Sequence, residues 1–122
     1  PWSRYSFICE LRDNQFAHYI VAKHSDKVIG YAGMWIILDE AHVTNVGVLP
    51  EYRGEGVGEL LMRSLIIAAK EHGAKKMTLE VRKSNYVAQN LYSKLGFEPV
   101  GIRRGYYLDN REDAVIMWKD SL

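Results

Sequence analysis

Residues 44–58 read TNVGVLPEYRGEGVG and join a strand to a helix through a glycine-rich loop. The β-branched run around residues 46–48 predicts the strand, and residues 50–58 predict the loop. An apolar stripe with helical period then predicts a helix over about residues 59–72. The first turn of a helix carries backbone N–H groups without intrahelical partners and a partial positive charge. This junction is therefore a candidate anion site, and Arg53 can add a charged contact to a phosphate.

Regular patterns continue on both sides of this junction. Upstream, three β-rich runs joined by short polar turns predict an antiparallel meander, at residues 18–23, 28–38 and 41–48. Downstream, the patterns predict a strand, a helix and a closing strand pair, at residues 77–81, 86–95, 97–104 and 114–119. A helical pattern over residues 2–12 predicts a short opening helix.

The predicted fold class follows from the order of these elements. The helix after the third strand requires a crossover, so the third and fourth strands should lie parallel. We therefore expect an α/β domain of the α+β type with a mixed central sheet, in which an antiparallel meander is followed by a parallel βαβ crossover and a C-terminal strand pair. A chain of 122 residues supports one such domain, residues 1–122.

Composition excludes several classes of protein. The 16 Lys and Arg residues balance 15 Asp and Glu residues, which argues against a general nucleic-acid or membrane-surface binder. The single cysteine, Cys9, cannot form an internal disulfide, and no Cys or His cluster has the spacing of a metal site. No apolar run reaches the length of a membrane span, and no basic-then-apolar signal segment is present. We expect a cytoplasmic protein without a metal.

Four interpretations of the glycine-rich loop compete on the residues alone. A P-loop is excluded because neither Lys nor Ser/Thr follows Gly58. A dinucleotide fingerprint fits poorly, because Gly54, Gly56 and Gly58 miss the last glycine spacing by one residue and the loop follows an antiparallel meander, although Glu80 falls near the acidic position about 20 residues further on. A plain connector without chemical function and a phosphate-binding loop of another family both remain open.

The wider pattern carries a resemblance. Taken together, three stretches resemble the GNAT superfamily of acetyl-CoA-dependent N-acetyltransferases, and within it the bacterial ribosomal-protein alanine N-acetyltransferases (the RimI type). They are Arg53-x-x-Gly56-x-Gly58 with its preceding strand, the segment Leu79-Glu80-Val81-Arg82-x-Ser84-Asn85 through Leu91-Tyr92 to Gly96-Phe97, and the tail Arg103-Arg104-x-Tyr106-Tyr107 with Glu112-Asp113-Ala114-x-x-Met117. Superfamily members have a strand and a helix before the segment matching residues 1–3. We therefore expect this domain to be N-terminally truncated and to lack those two elements.

The resemblance implies a binding site for acetyl-CoA. In that reading the loop and the helix start hold the pyrophosphate, and the backbone of the preceding strand pairs with the pantetheine arm. Asn85 would contact the same arm, although a helix N-cap role fits it equally. The implied cofactor-binding residues are Val46, Gly47, Val48, Arg53, Gly54, Glu55, Gly56, Val57, Gly58 and Asn85.

The resemblance also implies the catalytic residues. Glu80 interrupts an otherwise apolar strand and would be the general base, whereas the structural alternatives are an exposed strand glutamate or an ion-pair partner of Arg82 or Lys76. Tyr92 would be the general acid that protonates the leaving thiolate, and the alternative is a core tyrosine. Tyr106 and Tyr107 would contact the acceptor.

The implied activity is direct acetyl transfer from acetyl-CoA to a protein N-terminal α-amino group, with a Glu base and a Tyr acid. Within the subgroup the acceptor would be the N-terminal alanine of a small-subunit ribosomal protein, with no direct contact to nucleic acid or membrane. Two alternatives stay open: an acetyltransferase for a small-molecule amine or a lysine side chain, and a non-catalytic CoA-binding domain.

Overall fold

The structure is a computed structural model that describes residues 8–13 and 17–122. Within these residues the chain forms strands, two α-helices and one 3-10 turn. The strands are β1 (Ile8–Asp13), β2 (Ala17–His24), β3 (Lys27–Ile37), β4 (Glu40–Val48), β5 (Lys76–Arg82), β6 (Glu98–Arg103) and β7 (Ala114–Lys119). The helices are α1 (Val57–Glu71) and α2 (Tyr86–Lys94), and the 3-10 turn spans Pro50–Tyr52.

The described strands form one mixed sheet in the order β1-β2-β3-β4-β5-β7-β6. Neighbouring strands pair antiparallel except β4 and β5, which are parallel and connected through α1. The predicted meander, parallel crossover and C-terminal strand pair are therefore confirmed. No helix in the described part of the chain is long and apolar enough to cross a membrane.

The opening helix predicted over residues 2–12 is wrong where the structure describes it. Ile8–Asp13 is a strand that pairs antiparallel with β2, from Ile8 opposite Lys23 to Asp13 opposite His18. The edge of β2 offers backbone hydrogen bonds that a local helical pattern cannot anticipate. Residues 2–7 of that prediction lie outside the described residues. The α1 helix also begins two residues earlier than predicted, at Val57 rather than Glu59.

The core lies between α1 and one face of the sheet. The apolar stripe of α1 is buried along its length, which confirms the helical period read from the sequence; its buried residues are Val57, Leu61, Met62, Leu65, Ala68 and Ala69. On β3, a methyl group at Gly30 would lie 3.0 Å from Leu61 Cδ1, so the helix packs closely on the strand backbone. Gly73 follows the helix with a φ of 88°, a left-handed conformation that ends it.

The parallel pairing of β4 with β5 is short. Pairing covers Glu40 to His42 on β4 and Lys76 to Thr78 on β5. Just beyond, the register between β3 and β4 shifts, because Gly33 faces Asn45 whereas Met34 faces Val43, which leaves Thr44 as the extra residue of a β-bulge. A bulge bends its strand and increases the local twist. The bend opens a cleft between the second halves of β4 and β5.

The β-bulge is packed closely against Gly33, where there is no room for a side chain. A methyl group at Gly33 would lie 2.6 Å from Asn45 Oδ1 and 2.6 Å from Tyr19 Cε1. At Gly101 on β6, by contrast, a methyl group would meet Ile116 Cδ1 at 3.7 Å, an ordinary contact.

We predict that Gly33→Ala lowers the free energy of unfolding by about 1–3 kcal/mol, because the tyrosine ring and the Asn45 amide must both move. Gly101→Ala is the matched control and should change that free energy by no more than about 0.5–1 kcal/mol, with a gain expected from reduced unfolded-state entropy. Urea unfolding followed by circular dichroism measures both. Equal losses in the two variants would contradict the close-packing argument.

Candidate active site

The cleft between the separated strands gathers most of the chemistry predicted from the sequence. It has a volume of about 280 Å³ and lies where β4 and β5 no longer pair. Its lining residues come from β4, β5, the α2 helix and the β6–β7 loop: Val43, Thr44, Asn45, Val46, Leu79, Glu80, Val81, Arg82, Asn85, Tyr92 and Tyr107. Glu80, Tyr92 and Tyr107, which are far apart in the sequence, therefore share one cavity.

A second depression, of about 370 Å³, continues along β4 and α2 toward the glycine-rich loop. It is lined by Val48, Tyr52, Arg53, Gly54, Gly56, Val57, Gly58, Glu59, Val87 and Leu91. Val48 lies two residues beyond Val46 on the strand, and Leu91 precedes Tyr92 on the helix. The two depressions thus follow each other along the same two elements, and Glu55 lines neither of them.

The loop leaves the start of α1 open. Gly54 and Gly56 have φ values of 79° and 85°, and Gly56 is the N-cap residue, without a side-chain cap on the helix. The Glu59 carboxylate in the first turn is already occupied, since it accepts hydrogen bonds from Lys94 Nζ at 2.8 Å and Arg63 Nε at 2.9 Å. These bonds lower the pKa of Glu59. The helix start remains suited to an anion because this negative charge is balanced locally.

Part of the β4 backbone faces the cleft instead of a neighbouring strand. Leu49 N donates to Ile29 O at 2.8 Å, so Leu49 points toward β3. Successive residues of a strand direct their backbone groups to opposite edges, so Val48 and Val46 point away from β3, toward the side that β5 has left. Arg53 Nε donates to Val48 O at 3.3 Å, which agrees with a Val48 carbonyl that points away from β3. The Val46 backbone therefore faces the cleft, whereas the Val46 and Val48 side chains pack against the core.

Glu80 is half-buried and forms an ion pair with a residue of β6, which lies on the far side of β7. Its Oε2 lies 3.4 Å from Arg103 Nε, and 24% of its side chain is exposed. The sequence alternatives for its partner, Arg82 and Lys76, are wrong: Arg82 binds Asp109 and Glu112, and Lys76 lies 3.6 Å from Glu40. Glu80 and Arg103 are brought together because β7 pairs with both β5 and β6.

Tyr92 is buried and also lines the cleft. Its ring packs edge-on against Phe97, with ring centroids 5.9 Å apart. Burial raises the pKa of the Tyr92 phenol above its usual value, and the neighbouring Tyr107 adds to the rise. The phenol therefore keeps its proton through neutral and mildly alkaline pH. Core packing and access to the cleft, which the sequence presented as alternatives, coexist at this residue.

The two tyrosines of the tail occupy different positions. Their rings are perpendicular, with centroids 5.0 Å apart. Tyr107 lines the cleft, whereas Tyr106 lies outside its lining and is 45% exposed. The Arg82 guanidinium lies 4.0 Å above the Tyr107 ring centroid. Arg82 was not among the predicted site residues, although it stands in the Leu79-Glu80-Val81-Arg82 motif that could have indicated it.

The structure shows the helix N-cap role of Asn85, and its contact with the pantetheine arm stays a prediction. Its side chain accepts a hydrogen bond from Ala88 N at 3.1 Å, which caps α2, and the residue also lines the cleft. In the described ranges, no group of three or more His, Cys, Asp or Glu side chains is arranged to hold a metal ion.

Comparison with known proteins identifies the family. The model of the acetyltransferase (GNAT) family matches residues 1–97. The chain belongs to this acetyltransferase family.

Relatives narrow the subgroup. A Bacillus subtilis (strain 168) protein, provisionally named ribosomal protein bS18-alanine N-acetyltransferase, is 50% identical over 118 residues, which are 97% of this chain and 78% of its own. The Haemophilus influenzae ribosomal protein bS18-alanine N-acetyltransferase is 42% identical over 96% of this chain and 80% of its own. The crystal structure of the Escherichia coli ribosomal-protein-S18-alanine N-acetyltransferase superposes with a TM-score of 0.82 at 36% identity, covering 90% of this chain and 73% of that one. The GNAT-type sheet and the resemblance to this subgroup are thereby confirmed.

We predict that Tyr92 makes the folded state less stable at alkaline pH. Because its pKa is raised in the folded protein, the unfolded chain releases this proton first, near the ordinary value of about 10. The stabilisation is complete below that pH and is lost as the pH rises toward the folded pKa. Tyr92→Phe should therefore flatten the decline in free energy of unfolding above about pH 10. Tyr86→Phe, at an exposed position of the same helix, is the control and should leave the decline unchanged. Parallel declines in parent and Tyr92→Phe would contradict the assignment.

Proposed function

We propose that the chain transfers the acetyl group of acetyl-CoA directly to the α-amino group at a protein N-terminus. The observation that carries the proposal is that one cleft is lined by the half-buried carboxylate of Glu80, the buried phenol of Tyr92 and the β4 backbone at Val46. That cleft continues into a glycine-rich helix start suited to a diphosphate. Membership of an acetyltransferase family supplies the reaction class.

The residues present fit the chemistry of acetyl-CoA. Backbone N–H groups of the loop from Gly54 to Gly58 and the positive end of α1 would hold the pyrophosphate. The Val46 backbone, exposed where β5 diverges, would pair with the pantetheine amides, with Asn85 beside it. Arg53 holds the loop against the end of β4 through Val48 O and lines the same depression.

Each chemical step has a residue suited to it. A peptide α-amino group has a pKa of about 7.7–8.0, so removing its proton near neutral pH requires little energy, and the Glu80 carboxylate would accept that proton directly or through one water. A backbone N–H of β4 would donate to the thioester oxygen as negative charge develops. The Tyr92 phenol, which retains its proton, would deliver it to the sulfur of the departing CoA.

The relatives indicate the acceptor. Their names specify the alanine of ribosomal protein bS18, so we propose that the N-terminal alanine of this small-subunit ribosomal protein is the acceptor here as well. With a ribosomal acceptor, we expect the protein to act in the cytoplasm. Tyr107, in the cleft, and Tyr106, in contact with it, would form the wall against which the acceptor peptide lies.

The decisive experiment offers the protein acetyl-CoA and a set of short peptides that differ in their first residue. Release of free CoA thiol and the mass of the peptide measure the transfer. Transfer to peptides with N-terminal alanine supports the proposal. Transfer only to lysine side chains or small amines would replace the acceptor, and CoA binding without transfer to any acceptor would leave a non-catalytic CoA-binding domain.

We predict that Gly56→Asp abolishes CoA binding, because it adds bulk and a negative charge where the pyrophosphate would lie. Gly73→Asp is the matched control, since Gly73 has a similar φ of 88° but lies beyond the opposite end of α1. Calorimetric titration with CoA should show binding to the parent and to Gly73→Asp only. Undiminished binding by Gly56→Asp would remove the loop from the site.

We predict that Glu80→Gln lowers kcat by about 10²-fold while the affinity for acetyl-CoA stays the same, because the amide keeps the shape but cannot accept the proton. Glu98→Gln, at an exposed position on β6, controls for the loss of a strand carboxylate and should retain parental kcat. Steady-state thiol release measures both. Parental turnover in Glu80→Gln would reduce Glu80 to a partner of Arg103.

A further inference from the structure

Arg82 lies at the end of β5, two residues after Glu80, and connects that strand to the β6–β7 loop. Its Nη2 donates to Asp109 Oδ2 at 2.9 Å. Its Nη1 donates to Asn110 Oδ1 at 3.2 Å and to Glu112 Oε1 at 3.4 Å. A single side chain thus contacts three residues of a loop that follows it by more than 25 positions in the sequence.

The face of the same guanidinium covers an aromatic ring of the cleft. The Arg82 guanidinium carbon lies 4.0 Å from the centroid of Tyr107, within the range of a cation–π contact. The Tyr106 ring lies perpendicular to that ring, and Arg103 lies 5.9 Å from the Tyr106 centroid. Tyr107 therefore contacts both the Arg82 guanidinium and the Tyr106 ring.

Further hydrogen bonds tie the loop to the same strand end. Ser84 N donates to Glu112 Oε2 at 2.7 Å, and Lys83 N donates to Asp113 O at 3.0 Å. Within the loop, Gly105 N donates to Asp113 Oδ1 at 2.8 Å. The loop is thus attached to the end of β5 through polar contacts. Among the described residues that make these contacts from the β5 side, only Arg82 also lies over the Tyr107 ring.

We propose that Arg82 is a positioning residue for the acceptor: it fixes the Tyr107 ring and the β6–β7 loop as the acceptor-side wall of the cleft. The assignment rests on the proposed function, because it gives a role to one wall of that site. Arg82 acts through Tyr107 and the loop rather than on the reacting atoms.

Arginine is suited to this position and lysine is not. The planar guanidinium can stack its face on a ring while its N–H edge binds carboxylates, and both contacts are present here. An ammonium group is a compact charge that can pair with one carboxylate but offers no planar face. Arg82→Lys therefore keeps the charge and removes the simultaneous contact, which makes it a sharper test than removal of the side chain.

The test measures steady-state kinetics with the alanine-first peptide as acceptor. Arg82→Lys should raise KM for the peptide about five- to tenfold, while kcat and KM for acetyl-CoA change less than about twofold. Arg104→Lys, at an exposed position of the same loop, is the matched control and should behave as the parent. A second variant, Tyr107→Leu, should raise the peptide KM by itself, and adding Arg82→Lys to it should raise KM no further.

Amide hydrogen exchange provides a readout that needs no turnover. In Arg82→Lys, residues 104–113 should exchange faster than in the parent, with exchange in α1 unchanged. A parent without transfer to any acceptor would refute the proposed function, and unchanged loop exchange would refute the anchoring by Arg82. Parental peptide KM in an active Arg82→Lys enzyme, or additive effects with Tyr107→Leu, would overturn the positioning role while leaving the acetyltransferase assignment intact.

Discussion

The parallel pairing of β4 with β5 covers three residues on each strand and ends at His42 and Thr78. The cleft of the candidate site depends on that early end. Further pairing would bring the two backbones to hydrogen-bonding distance, and no cleft would remain between them. The bulge at Thr44 bends β4 at this point, and its close neighbours are accommodated because Gly33 has no side chain. The geometry of the sheet therefore creates the cleft, and the β6–β7 loop adds Tyr107 to its lining.

The separation leaves a strand edge inside the molecule, which is normally unfavourable because backbone polar groups lack partners. Here the exposed groups are useful. One of them, Val48 O, accepts a hydrogen bond from Arg53, which secures the glycine-rich loop beside the strand. Val46 keeps its backbone directed into the cleft, where the pantetheine amides of the proposed function would pair with it.

The two candidate proton-transfer groups occupy different surroundings within one cleft. Glu80 is partly exposed, and its carboxylate lies 3.4 Å from Arg103 Nε. Tyr92 is buried against Phe97, where desolvation favours the neutral phenol. A base that is ionised and an acid that is protonated at the same pH are what acetyl transfer to an amine requires. The difference arises from position in the fold, since Glu80 is partly exposed on β5 whereas Tyr92 is the buried residue of α2.

The sequence by itself determined the elements with strong local patterns and the motifs that carry the family resemblance. The apolar stripe of α1, the glycine-rich loop and the alternation in β5 are readable because the residues that specify them are close together in the chain. The sequence by itself did not determine that Ile8–Asp13 is a strand, that Glu80 pairs with Arg103, or that Arg82 lies over Tyr107. Each of these depends on partners supplied by distant segments: the free edge of β2, the placement of β7 between β5 and β6, and the return of the β6–β7 loop. Non-local pairing decides such contacts, because the energy of a strand edge or a charge depends on what the rest of the chain brings next to it.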